Sequence, residues 1–472
     1  MLAGLVVALA LIPEAISFSL IAGVDPKVGL YASFTMAVAI AFVGGRPAMI
    51  SAATGAMALV VVSLVREHGV EYLLAATLLA GAVQVTLGLL GVAKVMRFVP
   101  RSVMTGFVNA LAILIFLAQL PYLRDVPWSV YALVAAGLAL IWLVPRLTTA
   151  VPSPLVAIVV LTLVTVLAGV AVPTVGDQGA LPDTLPVLGI PSVPLSLETL
   201  MIILPYALTL AAVGLLESLM TAQLVDDITS TRSDKDREAR GQGVANVVTG
   251  LFGGMAGCAM IGQTMINVKA SGARTRLSTF CAGLFLLLLV VVLGSVVAVI
   301  PMAALVAVMI LVAWSTFDWH SVAPATLRRM PRSETLTMGL TVVATVATHN
   351  LAIGVGVGAL TAAVLFARRV AHLVDVTSIL DPDGSSRIYS VTGELFFASD
   401  RELVEAFDYA GDPARVIIDL SRAHIWDASA VAALDAISQR YRAQGTEVEI
   451  TGLNQRSDHL HSTLSGRLTP AH

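Results

Sequence analysis

The sequence predicts a polytopic α-helical membrane protein, built as a 7+7 inverted repeat, that ends in a small α/β domain. Hydrophobic residues make up 57% of its 472 positions and charged residues only 12%, with a mean hydropathy of +0.88. Soluble domains contain about 25% charged residues. This composition therefore excludes a disordered chain and a nucleic-acid-binding protein, and it argues strongly against a purely soluble enzyme.

Fourteen apolar runs that match the thickness of a bilayer fall into two sets of seven. The first set lies near 1–22, 29–43, 52–65, 72–92, 102–120, 129–149 and 153–172. The second lies near 200–224, 241–254, 264–270, 277–297, 300–316, 334–348 and 351–372. The third run of each set, after Ser51 and after Gln263, is too short or too Gly-interrupted to span alone. Such a matched pair predicts an inverted-repeat transporter with its site at the membrane midplane.

A change in charge density marks the predicted domain boundary. Residues 386–472 carry 20 charged side chains in 87 positions, about twice the density of the rest of the chain. We therefore expect a transmembrane domain over 1–372, with repeat one at 1–173 and repeat two at 197–372. A turn-forming linker at 373–385 and a soluble domain at 386–472 follow.

The distribution of basic residues predicts the orientation in the membrane. If the first segment starts inside, the inner loops collect 17 Lys and Arg residues, and the outer loops hold only Lys27, Arg66 and Arg124. This bias is the one that the positive-inside rule requires. The sequence thus predicts a multi-pass protein of the inner (plasma) membrane, in contact with the lipid bilayer, whose C-terminal domain is cytoplasmic.

Several motifs in the membrane part resemble those of the sulfate permease (SulP) family of anion transporters. They are Ile12-Pro13-Glu14-Ala15, Gly29-Leu30-Tyr31-Ala32-Ser33-Phe34, Glu217-Ser218-Leu219 with Asp226-Asp227, Asn246 with Phe252-Gly253-Gly254, and Asn267-Val268-Lys269 with Arg274-Thr275-Arg276-Leu277. The resemblance implies fourteen helices in two interleaved repeats, with core and gate domains that move against each other. It also implies a cytoplasmic STAS domain. The tail agrees, because 387–398, 414–420 and 447–453 have strand patterns and 428–444 has a helical one.

The two short segments supply the candidate substrate site. An anion at the midplane must exchange its hydration shell for protein donors, and helix N-termini provide them without a charged side chain. The residues expected to contact the anion are Ala53, Thr54, Gly55, Gly262, Gln263 and Thr264. The alternative is that these small residues only allow close helix packing, as they do in many membrane proteins.

Glu14 and Glu217 are the acidic residues that lie within apolar segments, which makes them candidates for proton coupling. Many members of the resembled family carry a basic residue at the position of Gln263 and an amide at that of Glu14, whereas an acid at Glu217 matches their pattern. An ionised Glu217 would repel an arriving anion, so we expect Glu217 to carry the coupling proton and Glu14 to be the substitute candidate. Sodium ranks second as the coupling ion. A structural role for either carboxylate is the alternative.

These features together predict a secondary transporter of small anions of the sulfate, bicarbonate or small dicarboxylate class. Proton-coupled symport by alternating access is the expected mechanism, and a homodimer is an option. The chain offers no catalytic constellation or metal-ligand spacing, so we expect no enzyme activity and no cofactor. A nucleobase–cation symporter of the same architecture and a membrane-anchored sensor or scaffold are the alternatives.

The soluble domain carries one further prediction. STAS domains that switch by phosphorylation carry a serine directly after an aspartate at a helix start. Here Asp427 is followed by Ala428 and then by Ser429. We therefore expect a role in folding, trafficking or assembly, with Ser429 as a substitute acceptor.

Overall fold

A computed structural model describes residues 1–92, 94, 99–147, 152–182, 184–371 and 374–467. The chain forms two compact units, Met1–Ala359 and Leu360–His472. Some predictions lie outside the described residues: Arg97 in the inner-loop count, positions 148–149 of the sixth segment, the boundary at 372–373 and the end of the chain at 468–472.

The first repeat contains helices α1 to α7. Their bounds are α1 Leu2–Ala22, α2 Pro26–Val43, α3 Gly55–His68, α4 Val70–Leu89, α5 Arg101–Leu117, α6 Trp128–Leu147 and α7 Ser153–Leu167. Gly23 ends α1 with a φ of 78°, a left-handed conformation that glycine adopts without strain, and Pro26 then starts α2 with a preset helical φ. This Gly and Pro pair explains how two buried helices connect through three residues.

The second repeat contains α8 to α15. Their bounds are α8 Leu197–Thr229, α9 Lys235–Leu251, α10 Ile261–Met265, α11 Arg276–Ala298, α12 Met302–Thr316, α13 Pro324–Arg329, α14 Arg332–Thr348 and α15 Leu351–Ala371. A π-helical turn, Ile266–Ala270, continues α10 directly. With 33 residues, α8 is about 50 Å long and exceeds the hydrocarbon core of a bilayer.

Each of the fourteen predicted segments contains a helix of the structure. Eight helices among the described residues are long and apolar enough to cross a membrane, and α7 and α12 are shorter apolar helices. The structure therefore agrees with a polytopic helical protein, and the number of spans stays a prediction. The helices pack in two groups, one of α1–α4 with α8–α11 and the other of α5–α7 with α12 and α14.

Two short strands interrupt the two repeats at corresponding places. Strand β1, Ser51–Ala53, precedes α3, and strand β2, Gly257–Ala259, precedes α10. They pair antiparallel, with Ser51 opposite Ala259 and Ala53 opposite Gly257. The pairing satisfies the backbone groups of chain that is not helical, which buried positions require.

The C-terminal unit contains a four-stranded sheet with helices. Its elements are β3 Asp375–Leu380, β4 Ser386–Leu395, α16 Asp400–Glu405, β5 Arg415–Ile425, α17 Ala428–Ala443, β6 Glu447–Thr451 and α18 Gln455–Leu464. In the order β3-β4-β5-β6, β3 is antiparallel to β4 and the other neighbours are parallel. Strand β3 lies within the segment predicted as the linker, of which 381–385 forms the turn to β4.

A buried carboxylate fixes one end of this sheet. The side chain of Asp412 is inaccessible to solvent and pairs with Arg387 at 2.8 Å. It also accepts hydrogen bonds from the hydroxyls of Tyr389, at 2.8 Å, and Tyr441. Burial, reinforced by the hydrogen bond to Asp412, raises the pKa of Tyr441, so this hydroxyl remains a donor.

Candidate functional site

The β1–β2 pair brings the N-termini of two helices from different repeats together. Helices α3 and α10 each begin two residues after a strand of this pair. The first N–H groups of a helix have no acceptor inside that helix, and they carry its positive partial charge. The structure therefore places two sets of free donors at one point of the fold.

Side chains from other helices hold the two strands in place. The amide of Asn246 on α9 donates to the carbonyl oxygen of Gly257 at 3.0 Å and accepts from its N–H at 2.8 Å. The hydroxyl of Ser218 on α8 accepts from the N–H of Ala259 at 3.0 Å. All four residues are buried. These bonds satisfy the edge of β2 and fix where α10 begins.

A cavity of about 250 Å³ lies in front of the two helix N-termini. The first group of helices contributes Glu14, Phe18, Thr54, Gly55, Ala56, Glu217, Met260, Ile261, Gly262, Gln263 and Ile266. The second group contributes Phe107, Val108, Leu111, Ile115, Pro154, Leu311, Val312, Ser315 and Thr316. The first wall therefore carries four polar side chains, those of Glu14, Thr54, Glu217 and Gln263, beside the helix N-termini. The described residues of the opposite wall are apolar apart from the hydroxyls of Ser315 and Thr316.

Four of the six residues expected to contact the anion line this cavity: Thr54, Gly55, Gly262 and Gln263. A side chain added at Gly262 would meet no atom within 4 Å, whereas one added at Gly55 would lie 3.0 Å from the ring of Phe18. We call α3 and α10 the half-helices of the first and second repeat. The start of α10 therefore presents open backbone to the cavity, whereas the start of α3 is packed against Phe18.

The other two, Ala53 and Thr264, are buried and do not line the cavity. The N–H of Ala53 donates to the hydroxyl of Ser33 at 3.3 Å. The hydroxyl of Thr264 accepts from the N–H of Ile50 at 3.0 Å. Both residues use their polar groups to join the strands to neighbouring elements.

The two intramembrane carboxyl groups both reach the cavity, one beside each half-helix. Glu14 on α1 accepts a 2.9 Å hydrogen bond from the amide nitrogen of Gln263, whose buried Oε1 has no partner among the described residues. Glu217 on α8 accepts a 3.0 Å hydrogen bond from the thiol of Cys258. The same sulfur lies 3.2 Å from the hydroxyl of Thr54.

The charge of the site is unusual for an anion site. Among its described lining residues are two carboxyl groups and no Lys or Arg. Within this described lining, the positive potential comes from the helix ends, at about +0.5 elementary charge each. An anion placed in this cavity would therefore be attracted by backbone dipoles and repelled by any carboxyl group that is ionised.

The connecting role of Cys258 is not visible in the sequence, because a lone cysteine in an apolar run is typical of core packing. Asn246, Ser218 and Arg276 stand out there only as parts of motifs. In the structure Asn246 and Ser218 hold β2, and Arg276 donates to the carbonyl oxygen of Ala41 at 3.1 Å, near the end of α2. These motif residues are scaffolding of the site.

The fold and the site define a multi-pass membrane transporter of the inverted-repeat type with a C-terminal STAS domain. Comparison with known families agrees, since residues 1–136 and 124–341 match the sulfate permease family and residues 379–464 match the STAS domain. The chain belongs to the sulfate permease family of anion transporters. This assignment favours transport over catalysis and over the nucleobase-symporter and scaffold alternatives.

Individual relatives support the assignment along the whole chain. "Putative sulfate transporter YbaR" of Bacillus subtilis (strain 168) is 56% identical over 459 residues, which cover 97% of this chain and 95% of that protein. The transmembrane domain of a cyanobacterial bicarbonate transporter, BicA, superimposes with a TM-score of 0.66 at 25% identity, over 76% of this chain and 96% of that one. Murine Slc26a9 shares the fold, with a TM-score of 0.83 at 16% identity over 98% of this chain and 86% of that one.

Proposed function

We propose that this chain is a proton-coupled symporter of small anions that works by alternating access, with sulfate as the first substrate to test and bicarbonate and small dicarboxylates next. One observation carries the proposal: two helix N-termini and two carboxyl groups share a cavity whose described lining has no basic side chain. The names of two relatives, "Putative sulfate transporter YbaR" and "Bicarbonate transporter BicA", support the substrate class.

The coupling follows from electrostatics. Two unit negative charges about 4 Å apart repel each other by about 4 kcal/mol at an effective dielectric constant of 20. A proton on the carboxyl group removes this term, so the protonated site binds the anion more tightly. By linkage the anion then strengthens proton binding by the same factor, which is the thermodynamic basis of symport.

Glu217 is the preferred coupling group. Only 7% of its surface is exposed, and the hydrogen bond that the structure shows to its carboxyl group comes from a thiol, a weak donor. Glu14 receives a stronger donor, the amide of Gln263, which stabilises its ionised form. Glu14 is therefore the second candidate, and sodium stays the second coupling ion.

The arrangement of cavities supports alternating access. A second cavity of about 870 Å³ lies between Leu20 and Ile21 of α1, Leu114 of α5 and Tyr206 of α8, on the predicted outer side. Phe18 and Ile115 line the cavity of about 250 Å³, and their side chains lie so close to Gly55 that a Cβ there would be 3.0 and 3.1 Å from them. We infer that this contact between the two helix groups is the outer gate.

The topology remains part of the proposal: the inside start of the first segment, the inner-membrane location, the cytoplasmic STAS domain and the domain bounds 1–372, 373–385 and 386–472. Labelling of single cysteines introduced at Lys27 and Arg328, by a reagent that does not cross membranes, tests the two sides. The homodimer also stays a prediction, which light scattering of the detergent-solubilised protein tests.

The test of function is uptake of labelled sulfate by proteoliposomes that contain the full chain. An inward proton gradient should drive accumulation, and the same gradient of sodium should not. In Glu217→Gln the proton gradient should no longer drive accumulation, although the anion still binds. Glu198→Gln is the matched control, because Glu198 lies on the same helix and is exposed.

The outcomes separate the candidates. If Glu217→Gln still accumulates sulfate against its gradient and Glu14→Gln does not, Glu14 is the coupling group. If both variants couple like the wild type, the proposal of carboxyl-based proton coupling is wrong. Uptake of bicarbonate or fumarate, but not sulfate, by the wild type would change the substrate and leave the coupling test intact.

A further inference from the structure

Three buried side chains form a hydrogen-bonded chain from Glu217 to the start of α3. The thiol of Cys258 lies 3.0 Å from Oε2 of Glu217 and 3.2 Å from Oγ1 of Thr54. Oγ1 of Thr54 also accepts from the N–H of Met57, at 3.3 Å, as the N-cap of α3. Cys258 is completely buried, and Thr54 is 2% exposed. The sulfur in the middle of the chain is therefore shielded from bulk water.

The charge of Glu217 sets the direction of these bonds. An ionised carboxyl group only accepts, so the single S–H of Cys258 must point toward Glu217. The sulfur can then only accept from Thr54, whose one hydroxyl hydrogen is used in that bond. In this state the side chain of Thr54 has no donor left for an anion in the cavity.

A proton on Oε2 of Glu217 reverses the chain. The carboxyl group then donates to the sulfur, the S–H rotates toward Oγ1 of Thr54, and Oγ1 accepts from both Cys258 and Met57. The hydroxyl hydrogen of Thr54 becomes free for the anion. The only proton taken up is the one on Glu217, and no bond to sulfur or to the threonine oxygen is broken.

We propose that Cys258 is a relay that makes the hydroxyl of Thr54 available to the anion only when Glu217 is protonated. Cys258 touches no substrate and is a positioning residue. The proposal rests on the proposed coupling role of Glu217 and adds to it a hydrogen-bond route between the coupling group and the half-helix. A serine at 258 can also donate to one neighbour and accept from the other, but an alanine can do neither.

The first test measures sulfate affinity of the purified full chain at acid and at alkaline pH, where sulfate is a dianion throughout. Glu14, the other titratable group in the described lining of the cavity, is unchanged in every variant, so its contribution to the pH dependence is common to all of them. The wild type, Cys258→Ser and the control Cys281→Ala should bind more tightly at acid pH. In Cys258→Ala the ratio of the two affinities should shrink about tenfold, the value of one hydrogen bond to a charged group. In a Thr54→Val background, Cys258→Ala should have no further effect on the ratio.

The second test observes the thiol itself and does not depend on transport. The chain has two cysteines, so Cys281→Ala leaves Cys258 as the sole source of an S–H stretching band in the infrared. Acidification should move this band to higher frequency, since the acceptor changes from a carboxylate to a hydroxyl. The shift should be absent in Cys281→Ala/Glu217→Gln.

The results distinguish the relay from the proposed function. The relay is refuted if Cys258→Ala keeps the wild-type affinity ratio, if Cys258→Ser loses it, or if the S–H band does not move with pH. If Glu217→Gln keeps the full pH dependence, the coupling role of Glu217 fails instead. If Glu217→Gln abolishes it and Cys258→Ala does not, the relay alone is wrong.

Discussion

Replacing Gly262 and Gly55, the glycines at the starts of α10 and α3, by alanine should have opposite effects on the stability of the protein. A Cβ at Gly262 meets no atom within 4 Å, so Gly262→Ala should leave the fold intact and stabilise α10 by up to about 1 kcal/mol. A Cβ at Gly55 would lie 3.0 Å from Cε1 of Phe18 and 3.1 Å from Cδ1 of Ile115. Overpacking of this kind costs about 1–3 kcal/mol, so Gly55→Ala should unfold at a lower temperature than the wild type.

The rate of sulfate uptake should depend on the space that the side chain at position 262 leaves free in the cavity. The series Gly262→Ala, Gly262→Leu and Gly262→Trp places growing side chains in a cavity of about 250 Å³. Sulfate uptake should fall along the series and vanish with tryptophan, whose side chain buries about 150–250 Å², while the unfolding temperature stays near that of the wild type. Proteoliposome uptake and thermal unfolding of the detergent-solubilised protein measure the two quantities. Wild-type transport by Gly262→Trp would refute the assignment of this cavity as the substrate site, and wild-type stability of Gly55→Ala would refute the packing contrast between the half-helices.

Three further substitutions test the scaffold and the soluble domain. Asn246→Leu leaves the buried N–H and C=O of Gly257 unpaired, at about 1–3 kcal/mol each, so thermal stability and sulfate binding should both fall. Retained binding would show that the hydrogen bonds from Asn246 to β2 are dispensable. Asp412→Ala leaves the hydroxyls of Tyr389 and Tyr441 without their buried acceptor, at about 1–3 kcal/mol each, and should destabilise the STAS unit, seen as an early transition in a thermal melt; an unchanged melt would contradict this. Ser429→Glu, at a half-buried position, should leave uptake unchanged, and an altered uptake rate would make Ser429 the regulatory acceptor.

The order of the helices and the pairing of the two short segments were predictable because hydrophobic length and loop charge depend on sequence alone. The structure shows strands and half-helices where runs of small residues interrupt the apolar segments at Ser51 and before Gln263. The sequence alone did not reveal which side chains face the cavity. Gln263 and Thr264 are neighbours, yet one lines the cavity and the other bonds Ile50. The direction in which each side chain of α10 points depends on the orientation that β2 gives to the start of this helix.

Long-range contacts account for the remaining differences. Nothing near Cys258 in the chain indicates that Glu217 and Thr54 lie on either side of its sulfur, since the three residues come from three separate elements. The sequence places strand β3 in the predicted linker. Five of the six residues of this strand are exposed, so it has no buried apolar face that a sequence pattern could indicate. Its formation depends on pairing with β4, which the local pattern does not reveal.

The β1–β2 pair also affects how the protein is made. Strand β1 must wait for a partner about 200 positions further along the chain, which ribosomes need roughly 10–40 s to synthesise at about 5–20 residues per second. Unpaired backbone groups exposed to lipid cost several kcal/mol each. The first repeat therefore leaves the ribosome with β1 unpaired. The insertion machinery must shield the backbone of this strand from lipid until β2 of the second repeat has been synthesised. A chain truncated before Gly257 is expected to be a substrate for membrane proteases even though nine helices, α1 to α9, have already been synthesised.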